Sequence, residues 1–136
     1  MLQVTTLSHA DAAELVAAAR ERAEKAGKAV CIAVSDPHGE LLAFLRMDGC
    51  QLPSINIAQN KAYTAARERT PSGEIGARMR ASGQPMTNYG DLRYVAWSGG
   101  LPIVHEGKVV GAIGVSGLSE KEDVELAAAA VAAVKL

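Results

Sequence analysis

Aromatic residues make up only 4% of this 136-residue chain: one Trp, one Phe and three Tyr. A core without them rests on Ala, Val, Leu and Ile, whose small volumes allow close helix packing and leave room for pockets or a neighbouring subunit. Cysteine is scarce as well. Cys31 and Cys50 are the two present, with no C-x-x-C spacing, so neither suggests a zinc site or a redox motif and both read as reduced structural thiols. Neither sign of charge dominates: 14 Lys and Arg stand against 15 Asp and Glu, for a formal charge of -1. Without a long run of one sign there is no electrostatic footprint for nucleic acid or an anionic membrane surface. No stretch reaches the roughly 18 apolar residues of a membrane span. The first residues, MLQVTTLSHADAAELVAAAR, carry acidic side chains rather than an apolar stretch behind a basic start, so the pattern of a signal peptide is missing. The expectation is one domain over residues 1–136, located in the cytoplasm.

What is present is periodicity punctuated by turn residues. Ser8 and Asp11 have the form of a capping box, and Ala12, Val16, Ala19, Ala23 and Ala26 then repeat on one helical face until Gly27, predicting a helix over His9 to Ala26. Val30 to Ser35 and Glu40 to Met47 flank Asp36-Pro37-His38-Gly39 and read as a β-hairpin. Ser54 is placed to cap a second helix running to Arg69, and Thr70-Pro71-Ser72-Gly73 restarts a short one that ends at Gly83. Gln84 to Trp97 is irregular, with a strand expected near Tyr94 to Trp97. Leu101 to His105 and Lys108 to Ser116 form a second hairpin around Glu106-Gly107. Ser119 and Glu122 open a closing helix whose predicted face is Val124, Ala127, Ala128, Val131 and Val134. The order α-β-β-α-α-(β)-β-β-α joins adjacent strands by tight turns, which predicts an α+β fold with an antiparallel sheet and argues against a Rossmann fold.

The strands are apolar at both parities: Val30, Ile32 and Val34 alternate with Cys31 and Ala33, and Val109, Ile113 and Val115 with Val110 and Ala112. A sheet with one wet face would alternate apolar with polar, so both faces must be covered. Glycine nevertheless recurs at every third residue, at Gly111, Gly114 and Gly117. Gly111 and Gly114 are read as points where another backbone or a subunit packs closely. Gly99, Gly100 and Gly117 lie at strand or helix ends, where N–H groups are free to meet a ligand, or else they serve only turns and a close helix crossing.

The succession AVSDPHGELLAFLRMDG, NKAYTAA, SGGLPI and GKVVGAIGVSGLSEKED, in that order, resembles the GlcG/HbpS-like family of haem-binding and haem-degrading proteins, which also includes the C-terminal domain of PduO-type corrinoid adenosyltransferases. The resemblance covers nearly the whole chain. It implies a five-stranded antiparallel sheet of profilin or PAS-like appearance with helices on both faces, assembling into homo-oligomers. It also implies haem or a related tetrapyrrole, corrinoid included, as the ligand, in a role accessory to a catabolic pathway. The chain departs from the pattern at Trp97-Ser98, where a proline usually precedes the paired glycines, and in Asn88 to Arg93.

Two cations stand out as ligand contacts. Arg46 ends a strand and Lys61 lies among the alanines of the second helix, so the two could converge on an acidic ligand group; equally, Arg46 could pair with Asp48, and Lys61 with a carboxylate. For haem these cations and the glycine backbone would meet the propionates. His9, in the first helical turn where the dipole favours neutral imidazole, is the candidate iron ligand. His38 and His105 lack any metal-ligand spacing. No nucleophile motif appears, and Glu120, Glu122 and Asp123 read as first-turn acids that favour the helix dipole. The alternative function is an enzyme or accessory protein acting on a small carboxylated metabolite through the same cations.

Overall fold

The computed structural model describes all 136 residues. Helix α1 (His9–Lys25) begins where the capping box falls: Ser8 Oγ accepts the Asp11 N–H at 3.1 Å, and Asp11 Oδ2 accepts the Ser8 N–H at 2.8 Å. Strands β1 (Cys31–Ser35) and β2 (Leu41–Arg46) follow as a hairpin. Its turn is fixed by Asp36 Oδ1, which accepts the N–H groups of His38 at 2.8 Å and Glu40 at 3.0 Å. Next come α2 (Ser54–Glu68), α3 (Ser72–Ser82) and one 3-10 turn at Met86–Tyr89. Ser54 does not cap α2; it is the first helical residue, and its hydroxyl faces Ser116. β3 (Gly100–His105) and β4 (Lys108–Ser116) are joined through Glu106 and Gly107, whose φ values of 49° and 77° are those of a primed hairpin turn. Helix α4 (Glu120–Ala133) closes the chain, capped by Ser119.

The strands form one antiparallel sheet in the order β2-β1-β4-β3. It has four strands, not five. The expected strand near Tyr94 to Trp97 does not form because side chains of α2 and α3 take its backbone groups. The Val95 N–H donates to Thr64 Oγ1 at 3.0 Å, and Ser72 Oγ donates to the Trp97 carbonyl at 2.8 Å. The tyrosines do the rest: Tyr94 stacks on Tyr89 with centroids 4.0 Å apart and meets Tyr63 of α2 edge-on at 5.5 Å. Three of the five aromatic residues are thus spent pinning the segment that lacks its own ladder.

Both faces of the sheet are covered, as their apolar parity demands. On one face α1 and α4 pack together over Val30, Ile32, Val34, Ile113 and Val115. On the other, α2 lies on Cys31, Ala33 and Ala112 through Ala58, Ala62, Ala65 and Ala66. The buried face of α4 is Asp123, Leu126, Ala127 and Ala130, rotated from the expected one. Gly100 and Gly114 are register partners, side by side beneath α2. A Cβ at Gly114 would stand 2.1 Å from the Ala58 carbonyl oxygen, and one at Gly100 would stand 2.2 Å from that of Lys61. The close approach read from Gly114 is therefore a helix of the same chain on the strand.

The two helical layers meet round the end of β4. Lys61, on the sheet-facing side of α2, donates from Nζ to the Val115 carbonyl at 2.9 Å and to Asp123 Oδ2 at 3.0 Å. Asp123 belongs to α4, so one ion pair, with its side chains 2% and 3% exposed, links helices on opposite faces. Burial raises the Asp123 carboxyl above its ordinary value, opposed by Lys61 and by the Leu118 N–H that donates to its Oδ1 at 3.1 Å.

Two outcomes are expected in denaturant unfolding. Gly114→Ala drives a methyl into the α2 backbone and lowers stability by about 3 kcal/mol, or roughly 10 °C in Tm for a domain of this size; an unchanged melt would show that α2 does not rest on this glycine. Lys61→Met strands a buried carboxyl and costs about 3–5 kcal/mol, whereas Lys61→Met with Asp123→Leu recovers most of that loss. The folded chain binds the Asp123 proton more tightly than the unfolded chain. That group's contribution is therefore full below the ordinary value of 3.8 and lost as pH rises through the raised one. Hence the deficit of the single variant relative to the double grows from acid to neutral pH.

Candidate functional site

Where the chain leaves β4 for α4, a cleft of about 460 Å³ opens between the start of α2 and the first turn of α4. Ser54, Ile57 and Lys61 of α2 supply one wall, spaced along one helical face, and Gln51 and Pro53 of the preceding turn extend it. Ser116, Gly117 and Leu118 form the floor where β4 ends, and Glu120, Asp123 and Trp97 complete the lining.

The polar groups of this cleft are nearly all partnered within the chain. Ser116 Oγ donates to Ser54 Oγ at 3.1 Å, and both serines are buried. Glu120 Oε1 accepts the Ser98 N–H at 2.7 Å, which fixes the approach of the Trp97 segment to α4. Trp97, the only tryptophan, stays 54% exposed. In charge, the Lys61 ammonium is balanced by Asp123, leaving Glu120 as net negative charge. Such a site presents hydroxyls, one amide, one indole and a carboxylate, which suits a hydroxylated neutral or cationic molecule better than a free anion.

The structure separates the residues that the sequence put forward. Lys61 lines the cleft as half of its ion pair. Gly117, with φ of 140°, lines it too. Gly99 stands behind Lys61: it has φ of 127°, and a Cβ there would lie 2.8 Å from Nζ, so glycine leaves the space in which the ammonium sits. Gly100 lies under α2, and its N–H donates to Ser72 Oγ at 2.9 Å. Arg46 is exposed at the end of β2, in a separate shallow groove with Arg20, Glu24 and Asp48; it neither approaches Lys61 in the cleft nor forms an ion pair with Asp48. His9 is exposed in the first turn of α1. Its neighbour Leu7 bonds to the Val110 carbonyl, about 20 Å along β4 from Ser116.

Asp123, Glu120, Ser54, Ser116 and Trp97 were not singled out as site residues by sequence. The signal existed for two charges. Asp123 precedes Leu126, Ala127 and Ala130 at helical spacing, and Lys61 falls between Ala58 and Ala65, so each charge occupies a position on an apolar face. A charge so placed must be paired.

Comparison with known proteins gives consistent results. The profile of the family described as "Haem degrading protein HbpS-like" matches residues 7–132. Protein GlcG of Escherichia coli K12 is 38% identical over 116 residues, covering 81% of each chain. A crystal structure of a double mutant of HbpS from Streptomyces reticuli superposes with a TM-score of 0.90 at 33% identity, over all of this chain and 92% of that one. The crystal structure of a PduOC–haem complex gives 0.88 at 29% identity, over 96% of both. The chain belongs to the HbpS-like family.

Proposed function

We propose that this chain binds haem or a related tetrapyrrole as a homo-oligomer. The observation that carries the reading is the likeness of the whole fold, at a TM-score of 0.88, to a relative whose structure holds haem. Haem supplies an iron that takes an axial His, Cys, Met or Tyr, and two propionates that seek cations. The cleft answers neither need: no such donor lines it, and its one ammonium is already paired.

A second concavity answers the need for cations, though no such iron donor lines it either. Leu2, Val4 and Val109 give apolar walls to a groove of about 390 Å³, and Arg69 and Lys108 bring two cations to it. Both are exposed and neither forms an ion pair. Apolar walls with two cations match a flat apolar macrocycle with two acids. The segment that forms one wall leads into α1, where His9 presents an exposed imidazole. In this reading His9, which lies outside the groove lining, would hold the iron, and Arg69 and Lys108 would take the role first given to Arg46 and Lys61.

A second reading, action on a small metabolite, draws on the cleft: Ser54, Lys61, Ser116 and Asp123 are four nearly buried polar side chains converging on one concavity. The balance of charge there favours a hydroxylated neutral or cationic molecule over the carboxylated one expected from sequence.

Haem titration followed at the Soret band decides between them. The parent is expected to saturate, His9→Ala to shift the band, and Arg69→Ala with Lys108→Ala to weaken binding by about 1 kcal/mol, or roughly fivefold, as two exposed ion pairs are lost. No saturable change in the parent would sink the haem reading, and loss of binding in Trp97→Ala alone would move the site to the cleft.

A further inference from the structure

The fold brings into contact two thiols that stand 19 residues apart in sequence: Cys31 Sγ donates to Cys50 Sγ at 3.3 Å. Cys31 is fully buried in β1, held on both sides by its ladder partners Arg46 and Ser116. Cys50 ends the turn after β2, with its N–H on the Met47 carbonyl at 3.1 Å, and it is half-buried. Its other contacts, to the carbonyls of Gln51 and Ser116, are long at 3.8 and 3.9 Å. One residue of the pair is thus partly open to solvent, and the second is buried behind it.

We propose that Cys31 and Cys50 are a reversible oxidation site, forming an intramolecular disulfide in response to peroxide and changing the wall of the cleft as they do so. The Cys50 sulfur loses its proton and attacks one peroxide oxygen. The O–O bond breaks, and the departing hydroxide takes up a proton to become water, leaving a sulfenic acid on Cys50. The Cys31 sulfur then attacks the Cys50 sulfur, and the S–O bond breaks. The hydroxyl leaves with the Cys31 proton as a second water. Two thiols are oxidised and one peroxide is reduced. Burial, and then the hydrogen bond to Cys50, push the Cys31 thiol up to about 12, so it is inert by itself and reacts only once its neighbour is activated.

Closing the bond from 3.3 Å to the roughly 2.05 Å of a disulfide requires a shift of about 1.3 Å. Cys31 sits in an inner strand, so Cys50 makes most of that movement. Cys50 is bonded to Gln51, and a Cβ built on Gly117 would lie 3.4 Å from its sulfur. Gln51 and Gly117 both line the cleft. Trp97 lines it as well and, as the only tryptophan, reports on it. None of this depends on which ligand the protein holds.

The test uses the ligand-free full chain treated with hydrogen peroxide, then with dithiothreitol. The parent is expected to lose both titratable thiols and about 2 Da without forming a disulfide-linked dimer, to change its Trp97 emission and melting temperature, and to revert on reduction. Cys31→Ala is expected to stop at a sulfenic acid that dimedone traps on Cys50. Cys50→Ala, altered at the half-buried position, retains an unreacted Cys31 and keeps the assay informative should Cys31→Ala not fold. Two thiols intact after peroxide, a bond formed between chains, or a Cys31 that reacts in Cys50→Ala would overturn the site. A disulfide that leaves Trp97 emission unchanged would overturn its link to the cleft.

Discussion

The ion pair between Lys61 and Asp123 is the constraint around which the rest of the molecule is arranged. Two charges taken out of water are tolerated only when each finds the other and its remaining polar partners, which here are the Val115 carbonyl and the Leu118 N–H. Because the partners belong to helices on opposite faces of the sheet, the pair fixes how α4 is rotated and where the chain turns after β4. It sets the composition of the cleft as well. An ammonium that would otherwise attract an acid is already neutralised, so what remains to meet a ligand is hydroxyl, amide, indole and one carboxylate.

The shortage of aromatic residues has a structural counterpart in the distance between layers. With alanines on α2 and the pair Gly100 and Gly114 below them, the helix backbone comes down almost onto the strand backbone. Close packing of this kind makes dispersion and area burial efficient with small side chains, at the cost of leaving no space for any Cβ at those positions. Concavities are therefore displaced from the middle of the sheet to its ends, the polar cleft where β4 leads into α4 and the apolar groove beside the β3–β4 turn. Their chemistries differ enough that one molecule would not suit both, and the cysteine pair lies against the first.

Much of the architecture was legible because it depends on local signals. The capping box at Ser8, the N-cap at Ser119, the Asp36 turn and the Glu106-Gly107 turn mark boundaries by short-range hydrogen bonding and backbone strain, and the four α-helices and four strands fall within a residue or two of their expected limits. The two-faced apolar strands correctly required helices on both sides. The strand expected at Tyr94 to Trp97 failed because its apolar residues serve contacts with α2, and sequence cannot show that Thr64 and Ser72 compete for its backbone. At the site, Lys61 was legible as a charge out of place among alanines, whereas Asp123, masked by neighbouring first-turn acids, was not read as its partner.

The sequence by itself determined the class of fold, the order of elements, the need for two covered faces and the membership that its ordered motifs announce, because periodicity, caps and turn residues act over a few positions. Only the tertiary structure decided that Lys61 meets Asp123, that Gly100 and Gly114 lie together beneath one helix, that Arg46 stands apart from Lys61, and that Cys31 touches Cys50. Each of these is a meeting of residues distant along the chain. Such meetings are set by strand register and helix rotation, which follow from the packing of the whole core rather than from any stretch of it.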